Sequence, residues 1–248
     1  MEQKIRVGAV SYLNTKPLVY GFEKGMMNEQ VEMLFDYPAN IAKMLLNHEI
    51  DVGLLPVAII PQLNEHYIIS DFCIGASKAV ASVCVFSDVP LQQVTEILVD
   101  YQSRTSAALL RLLLRDYWHM NPVLIDTSNG YQQNIKGTTA GLIIGDRALQ
   151  QRPHSLYIYD LAEAWQDMTG QPFVFAAWVA NKKLPQAFVS DFNAVTGEGL
   201  QHLDEIVASI SYTAYDLSYY YHQNIDYNLD DDKRKALQFF VALIQQRR

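Results

Sequence analysis

Apolar and polar positions alternate along the chain in a repeated strand, loop and helix order. Ile5-Arg6-Val7-Gly8-Ala9-Val10 is an apolar, β-branched run that stops at the polar cluster Ser11-Tyr12-Leu13-Asn14-Thr15. Pro17 stands where the first turn of a helix would begin, and Gly25 breaks that helix after about Lys24. Residues 31–37 alternate as a strand. Pro38-Ala39-Asn40 then opens a helix whose Ile41, Met44, Leu45 and Ile50 keep helical spacing, and 51–58 follows as a buried strand ending at a turn. Three strand–helix alternations in under 60 residues predict a mainly parallel sheet with helices on both faces.

The pattern then changes. Residues 67–75 and 79–86 are two strands with a short connection, and Ser87-Asp88-Val89-Pro90 punctuates the chain. A second α/β unit begins with a strand over 96–100, the polar loop Tyr101-Gln102-Ser103 and a helix over 104–118. The apolar residues Ala107, Leu109, Leu110, Leu112, Leu113 and Leu114 surround most of that helix, which predicts burial between layers. Strands over 123–126 and 140–144 complete a smaller sheet, the latter running out into Gly145-Asp146-Arg147. Residues 173–180 form the last strong strand, and beyond Pro185 the chain reads as helical, with a break at Gly197 and Gly199. Its final helix starts at Asp230-Asp231-Asp232 and closes at Arg247-Arg248, the charge order a helix dipole favours.

Two apolar strands, near 81–87 and 173–179, are placed to cross between the units, which puts a ligand cleft between two lobes. The expected division is 1–86 with 179–248 as the first lobe and 87–178 as the second, an α/β chain throughout.

Composition narrows the function. A chain of 248 residues, 50% of them apolar, buries a substantial core. Lys and Arg number 19 against 27 Asp and Glu, a net charge of −8 without a basic run, which argues against nucleic acid. A pocket can still be locally positive, so a small anion fits. No apolar run reaches the roughly 20 residues of a membrane span. Met1-Glu2-Gln3-Lys4 leads straight into the first strand without a basic region and apolar signal core, so the expected location is the cytoplasm. Cys73 and Cys84 lie in β-like runs without a zinc spacing and read as buried free thiols.

The six histidines are scattered. There is no Gly-x-Ser-x-Gly elbow, no phosphate-binding Gly-rich Lys loop and no dinucleotide fingerprint, so hydrolysis, NTP use and nicotinamide binding lose ground. No metal site is expected. Tyr212, Tyr215, Tyr219, Tyr220 and Tyr221 mark an aromatic helix face assigned to core or lobe packing rather than ligand stacking.

Three polar loops at strand ends remain as candidates: 11–16, 103–106 and Gly145-Asp146. Ser103-Arg104-Thr105-Ser106 offers hydroxyls, helix N-terminal N–H groups and a guanidinium, which suit a carboxylate. The alternative makes Ser103 an ordinary N-cap and Arg104 a solvated residue. Asn14 either stabilises its own turn or orients a polar ligand, and Lys16 reads as solvated. Asp146 caps a helix or binds a substrate hydroxyl; both roles stay open.

With these residues in place, the chain resembles the chorismate dehydratase family of the futalosine route to menaquinone. The matching stretches are Val7-Gly8-Ala9-Val10-Ser11-Tyr12-Leu13-Asn14-Thr15-Lys16-Pro17-Leu18, Asp51-Val52-Gly53-Leu54-Leu55-Pro56-Val57, Ser82-Val83-Cys84-Val85-Phe86-Ser87, Ser103-Arg104-Thr105-Ser106, Ile143-Ile144-Gly145-Asp146 and Pro172-Phe173-Val174-Phe175-Ala176-Ala177-Trp178. The resemblance implies a two-lobed fold like the type II periplasmic binding proteins, and a hydro-lyase that converts chorismate to 3-[(1-carboxyvinyl)oxy]benzoate without a cofactor. It implies Asn14 as the catalytic residue beside the reacting ring atoms. Ser11, Ser82, Ser103, Arg104, Thr105, Ser106 and Asp146 are implied as substrate-binding residues, with chorismate, a dicarboxylate, as the partner. Ser77-Lys78-Ala79 departs from the pattern, where a Gly-containing turn is more usual. Two alternatives are a sister lyase of the same pathway, 1,4-dihydroxy-6-naphthoate synthase, which uses a histidine, and a non-catalytic small-anion binder of the same fold.

Overall fold

In the computed structural model, which describes residues 4–246, the opening run forms β1 (Ile5–Val10) with its last four residues buried. A single turn over Leu13–Thr15 leads into α1 (Lys16–Glu23), where Pro17 occupies a first-turn position whose N–H would have no helical partner. β2 (Val31–Asp36), α2 (Pro38–Leu46) and β3 (Val52–Pro56) follow, and β2 and β3 flank β1 in parallel, with Val7 opposite Met33 and Val52.

The chain then runs through β4 (Tyr67–Ala76) and β5 (Val83–Ser87) to β6 (Glu96–Val99), α3 (Arg104–Asp116), β7 (Val123–Asp126) and β8 (Thr139–Ile144). After α4 (Asp146–Gln151), β9 (Tyr157–Asp160) and α5 (Leu161–Thr169) it returns in β10 (Phe173–Ala180). The remainder is α6 (Gln186–Glu198), α7 (Leu203–Ser209), the short α8 (Leu217–Tyr219), β11 (Asp226–Asn228) and α9 (Asp231–Gln245).

Two sheets result, ordered β11-β4-β10-β3-β1-β2 and β7-β6-β8-β5-β9. β10 runs antiparallel between β3 and β4, and β5 runs antiparallel between β8 and β9. The first sheet is therefore mixed rather than mainly parallel, because its central strand returns from the other sheet. The same ladders move the expected lobe boundaries. β5, assigned by sequence mostly to 1–86, pairs in the second sheet, while most of β10, assigned to 87–178, pairs in the first. The chain crosses between sheets just before β5 and just before β10. Pairing decides membership here, and an apolar run does not announce which partner it will take.

Three elements went unread in the sequence: β9, α5 and β11. The two strands span four and three residues, too short for a period to show, and α5 is set by its cap at Asp160. One apolar cluster runs through both sheets. In it Trp165 meets Phe173 and Phe240 at 5.3 and 5.9 Å between ring centres, and Phe192 packs on Phe22 and Trp178 at 5.0 and 5.1 Å. Cys73 and Cys84 are buried free thiols, and burial raises the pKa of both.

α3 buries its leucines, yet Arg104, Arg111 and Arg115 form one exposed stripe along it. Asp230 caps α9 by accepting from the Lys233 amide at 2.8 Å. Arg247 and Arg248, the expected basic end of that helix, and Met1, Glu2 and Gln3 lie outside the described residues. No helix among the described residues is long and apolar enough to cross a membrane.

Candidate functional site

The loop after β1 enters the space between the sheets and is held by its backbone. Tyr221 donates its hydroxyl to the Leu13 carbonyl at 2.9 Å, and Tyr227 donates to the Asn14 carbonyl at 3.0 Å. The Leu13 amide donates to Asp146 Oδ1 at 3.0 Å, which ties the loop to the second sheet. The Asn14 side chain is thereby fixed at 9% exposure beside Thr15 Oγ1, at 3.4 Å, and the Tyr220 hydroxyl.

Ser82, fully buried at the start of β5, stands across from Asn14. Tyr220 donates to Ser82 Oγ at 2.8 Å, so one phenol links the two candidate residues. The turn that delivers Ser82 has its left-handed residue at Ala81, with φ of +62°. That conformation costs a non-glycine residue about 1–2 kcal/mol. Asp160 holds it, accepting from the Ala81 amide at 2.7 Å through one oxygen and capping α5 through the other, from Ala162 and Glu163 at 3.0 and 3.2 Å. The unusual Ser77-Lys78-Ala79 stretch is thus followed by a strained Ala81, where a glycine would have been relaxed.

At the N-terminus of α3, Ser103 Oγ accepts from the Ser106 amide at 3.0 Å and donates to Ser106 Oγ at 2.7 Å. Ser103 is a true N-cap, and the first-turn amides keep no intrahelical acceptor. Thr105 Oγ1 accepts from the Ala58 amide of the other lobe at 3.2 Å. The opposite wall is Gly145, with φ of +64° and ψ of −147°, a conformation close to one that only glycine adopts readily. A Cβ there would sit 3.3 Å from the Tyr12 ring. Tyr12 hydrogen-bonds the Gln102 side chain, which also takes Arg147 Nη2 at 2.6 Å, and Arg147 pairs with buried Asp100 at 2.9 Å.

These groups enclose a cavity of about 60 Å³ whose polar lining is Tyr12, Asn14, Ser82, Ser103, Thr105 and Ser106. Leu54, Ile74 and Phe175 supply apolar wall. Typical ligand pockets run from about 300 Å³ upward, so a ligand of that size fits this cavity only if its walls separate.

Five of the eight residues expected from sequence meet in this cavity: Asn14, Ser82, Ser103, Thr105 and Ser106. Ser11 is exposed and turns toward a shallow pocket with Lys16. Arg104 is exposed and lines a separate groove. Asp146 stands behind the cavity, its carboxylate on the Leu13 amide. Tyr12, Gly145 and Tyr220 were missed as site residues. Tyr220 and Tyr221 are buried, as expected of a packing face, whereas Tyr219 is exposed and Tyr212 and Tyr215 lie outside any helix; the Tyr220 hydroxyl also reaches the site, and no spacing marks that. Among the described residues no three His, Cys, Asp or Glu side chains are grouped to hold a metal ion.

Burial raises the Asp146 pKa above its ordinary 3.8, against the Leu13 amide and Arg147, which lower it. Ionisation of Asp146 therefore opposes folding: the stability tied to it is full below 3.8 and is lost as pH rises through the folded value. Asp146→Asn keeps an acceptor for Leu13 and removes the charge. Its melting temperature is expected to gain on the wild type between pH 4 and pH 7. A difference that stays constant with pH in paired thermal melts would count against this role.

Known proteins fit this architecture. The crystal structure of an Archaeoglobus fulgidus protein aligns at a TM-score of 0.76 with 16% identity, covering 98% of this chain and 97% of that one. A Candida albicans protein described as having the generic periplasmic binding protein fold aligns at 0.66 with 13% identity, over 98% and 90%. The alkanesulfonate-binding protein SsuA of Xanthomonas axonopodis pv. citri aligns at 0.67 with 11% identity, over 98% and 92%. These establish the two-lobed periplasmic-binding-protein-like fold. In sequence, the chorismate dehydratase of Thermus thermophilus is 26% identical over 261 residues, covering 96% of this chain and 94% of that protein. The chorismate dehydratase of Campylobacter jejuni is 26% identical over 243 residues, covering 94% and 95%. The sequence profile of the menaquinone biosynthesis family matches residues 5–246, nearly the whole chain, and this protein is a member of that family.

Proposed function

We propose that this protein is a chorismate dehydratase, removing water from chorismate to give 3-[(1-carboxyvinyl)oxy]benzoate without a cofactor. The carrying observation is the convergence of Asn14, Ser82 and the 103–106 turn on one interlobe cavity in a chain of this family. Its two named relatives in sequence are chorismate dehydratases, which supports the reaction class.

The cavity lining supports a particular division of labour. It contains no Asp, Glu, His or Lys, so none of its side chains is a strong base. A substrate carboxylate takes the ring proton and passes it to the departing hydroxyl, the C–H electrons become part of the aromatic ring, and the C–O bond breaks to release water. Aromatisation supplies the driving force. The protein orients the ring, excludes water and stabilises charge that develops on the ring carboxylate. Asn14 holds the departing hydroxyl, since an amide both donates and accepts. Ser82, its hydroxyl set by Tyr220, and the helix start at Ser103 hold carboxylates.

The same lining argues against the sister lyase, because no histidine lies in it. Incubation with chorismate, followed by ultraviolet spectroscopy and mass spectrometry, decides the matter. The expected product is lighter by one water and aromatic. Saturable binding of chorismate with no product would replace the enzyme with an anion-binding protein.

A further inference from the structure

A second cavity, about 560 Å³, lies on the other side of Ser103, between α3 and β6 of the second lobe and the 57–62 turn and α9 of the first. Three of the chain's nine arginines line it: Arg104, Arg111 and Arg115, spaced seven and four residues apart on one face of α3. In a protein of net charge −8 that concentration is unusual. Arg115 is matched by Asp116 and Asp100 by Arg147. Arg104 and Arg111 have no ion pair among the described residues, and exposed Asp126 at the rim is the remaining acid of the lining. Arg104 also stands in the first turn of α3, which has no acidic residue. A cation at the positive end of a helix is electrostatically misplaced unless an anion joins it. Ala58, Ile59, Leu112 and Leu243 give the groove an apolar wall.

We propose that this groove is an outer binding site for aromatic or cyclic carboxylates, in which Arg104 and Arg111 take the carboxylate and the apolar wall takes the ring. Its volume suits one ligand of that size, where the inner cavity of about 60 Å³ does not unless its walls separate. Ser103 lines both cavities, so an anion held outside waits beside the helix start that receives it inside. The identity of the passing substrate rests on the chorismate dehydratase reading; the groove and its ligand class do not.

Arg104→Gln with Arg111→Gln removes both charges from exposed positions. With chorismate, the double variant is expected to keep kcat and raise KM about ten-fold, with a shallower salt dependence of kcat/KM than the wild type. Arg234→Gln with Lys235→Gln on α9 makes the same change in net charge away from both cavities and is expected to behave as wild type. An unchanged KM in the first variant, an equal rise in the α9 control, or a fall in kcat alone overturns the proposal. If the wild type does not convert chorismate, that reading fails while the groove is still measured, by calorimetric titration with benzoate. Benzoate binding weakened about ten-fold in the arginine variant sustains the outer site, and equal binding overturns it.

Discussion

Asn14→Ala is expected to fold and to lose turnover of chorismate by about 10²- to 10³-fold, the scale of removing one well-placed polar group from a transition state. Folding survives because the loop is clamped through its backbone, by Tyr221 on the Leu13 carbonyl, Tyr227 on the Asn14 carbonyl and Asp146 on the Leu13 amide. The melting temperature should fall by no more than about 4 °C, equivalent to roughly 1 kcal/mol in a domain of this size. The loss should appear in kcat, because the amide meets a hydroxyl that changes charge only as the C–O bond breaks. Near-normal product formation by this variant would remove Asn14 from the chemistry. A loss matched by unfolding in circular dichroism would make it structural.

The second large effect concerns Asp160, a residue the sequence did not single out. Asp160→Ala removes the acceptor of three backbone amides, one at Ala81 and two at the start of α5. Leaving buried donors unpaired costs about 1–3 kcal/mol and losing a helix cap about 1 kcal/mol, so the variant should be less stable by roughly 3 kcal/mol. That corresponds to about 6–12 °C in melting temperature. Activity should fall too, because Ala81 relaxes from its left-handed conformation and Ser82 moves with it. Asp160→Asn, which keeps one acceptor oxygen, should recover only part of the loss. A melting temperature for Asp160→Ala within 2 °C of wild type would show that the turn holds itself. Pairing that variant with Ala81→Gly tests the link, since glycine adopts the left-handed conformation without strain and should restore part of the activity.

What could be read from sequence divides along physical lines. β1 and β3 were legible as apolar runs that end at polar or turn residues, and α1, α2 and α3 because each has its own start signal: Pro17, Pro38 and Ser103. As lining of the inner cavity, Asn14, Ser103, Thr105 and Ser106 were legible because they sit where a strand ends and a helix begins. The pairing of β10 between β3 and β4 was not, since any apolar strand of that length fits either sheet. Arg104 was drawn into the site by its neighbours Ser103 and Thr105, yet successive residues of a helix point about 100° apart, and its side chain leaves on the groove side. Tyr220 and Asp160 act at a distance of many residues in the chain, on Ser82 and Ala81, and such long-range hydrogen bonds leave no local trace.

The strand order also bears on how the chain is made. Every strand of the second sheet lies between Val83 and Asp160, so that sheet can close as soon as this contiguous stretch leaves the ribosome. The first sheet cannot. β1 to β4 emerge earlier, but β3 and β4 have no common neighbour until Phe173–Ala180 arrives between them. The later part of the chain thus completes its sheet before the earlier part does. In that interval β3 and β4 present bare, apolar edges, the kind of surface that pairs with other chains until Phe173–Ala180 fills the gap between them.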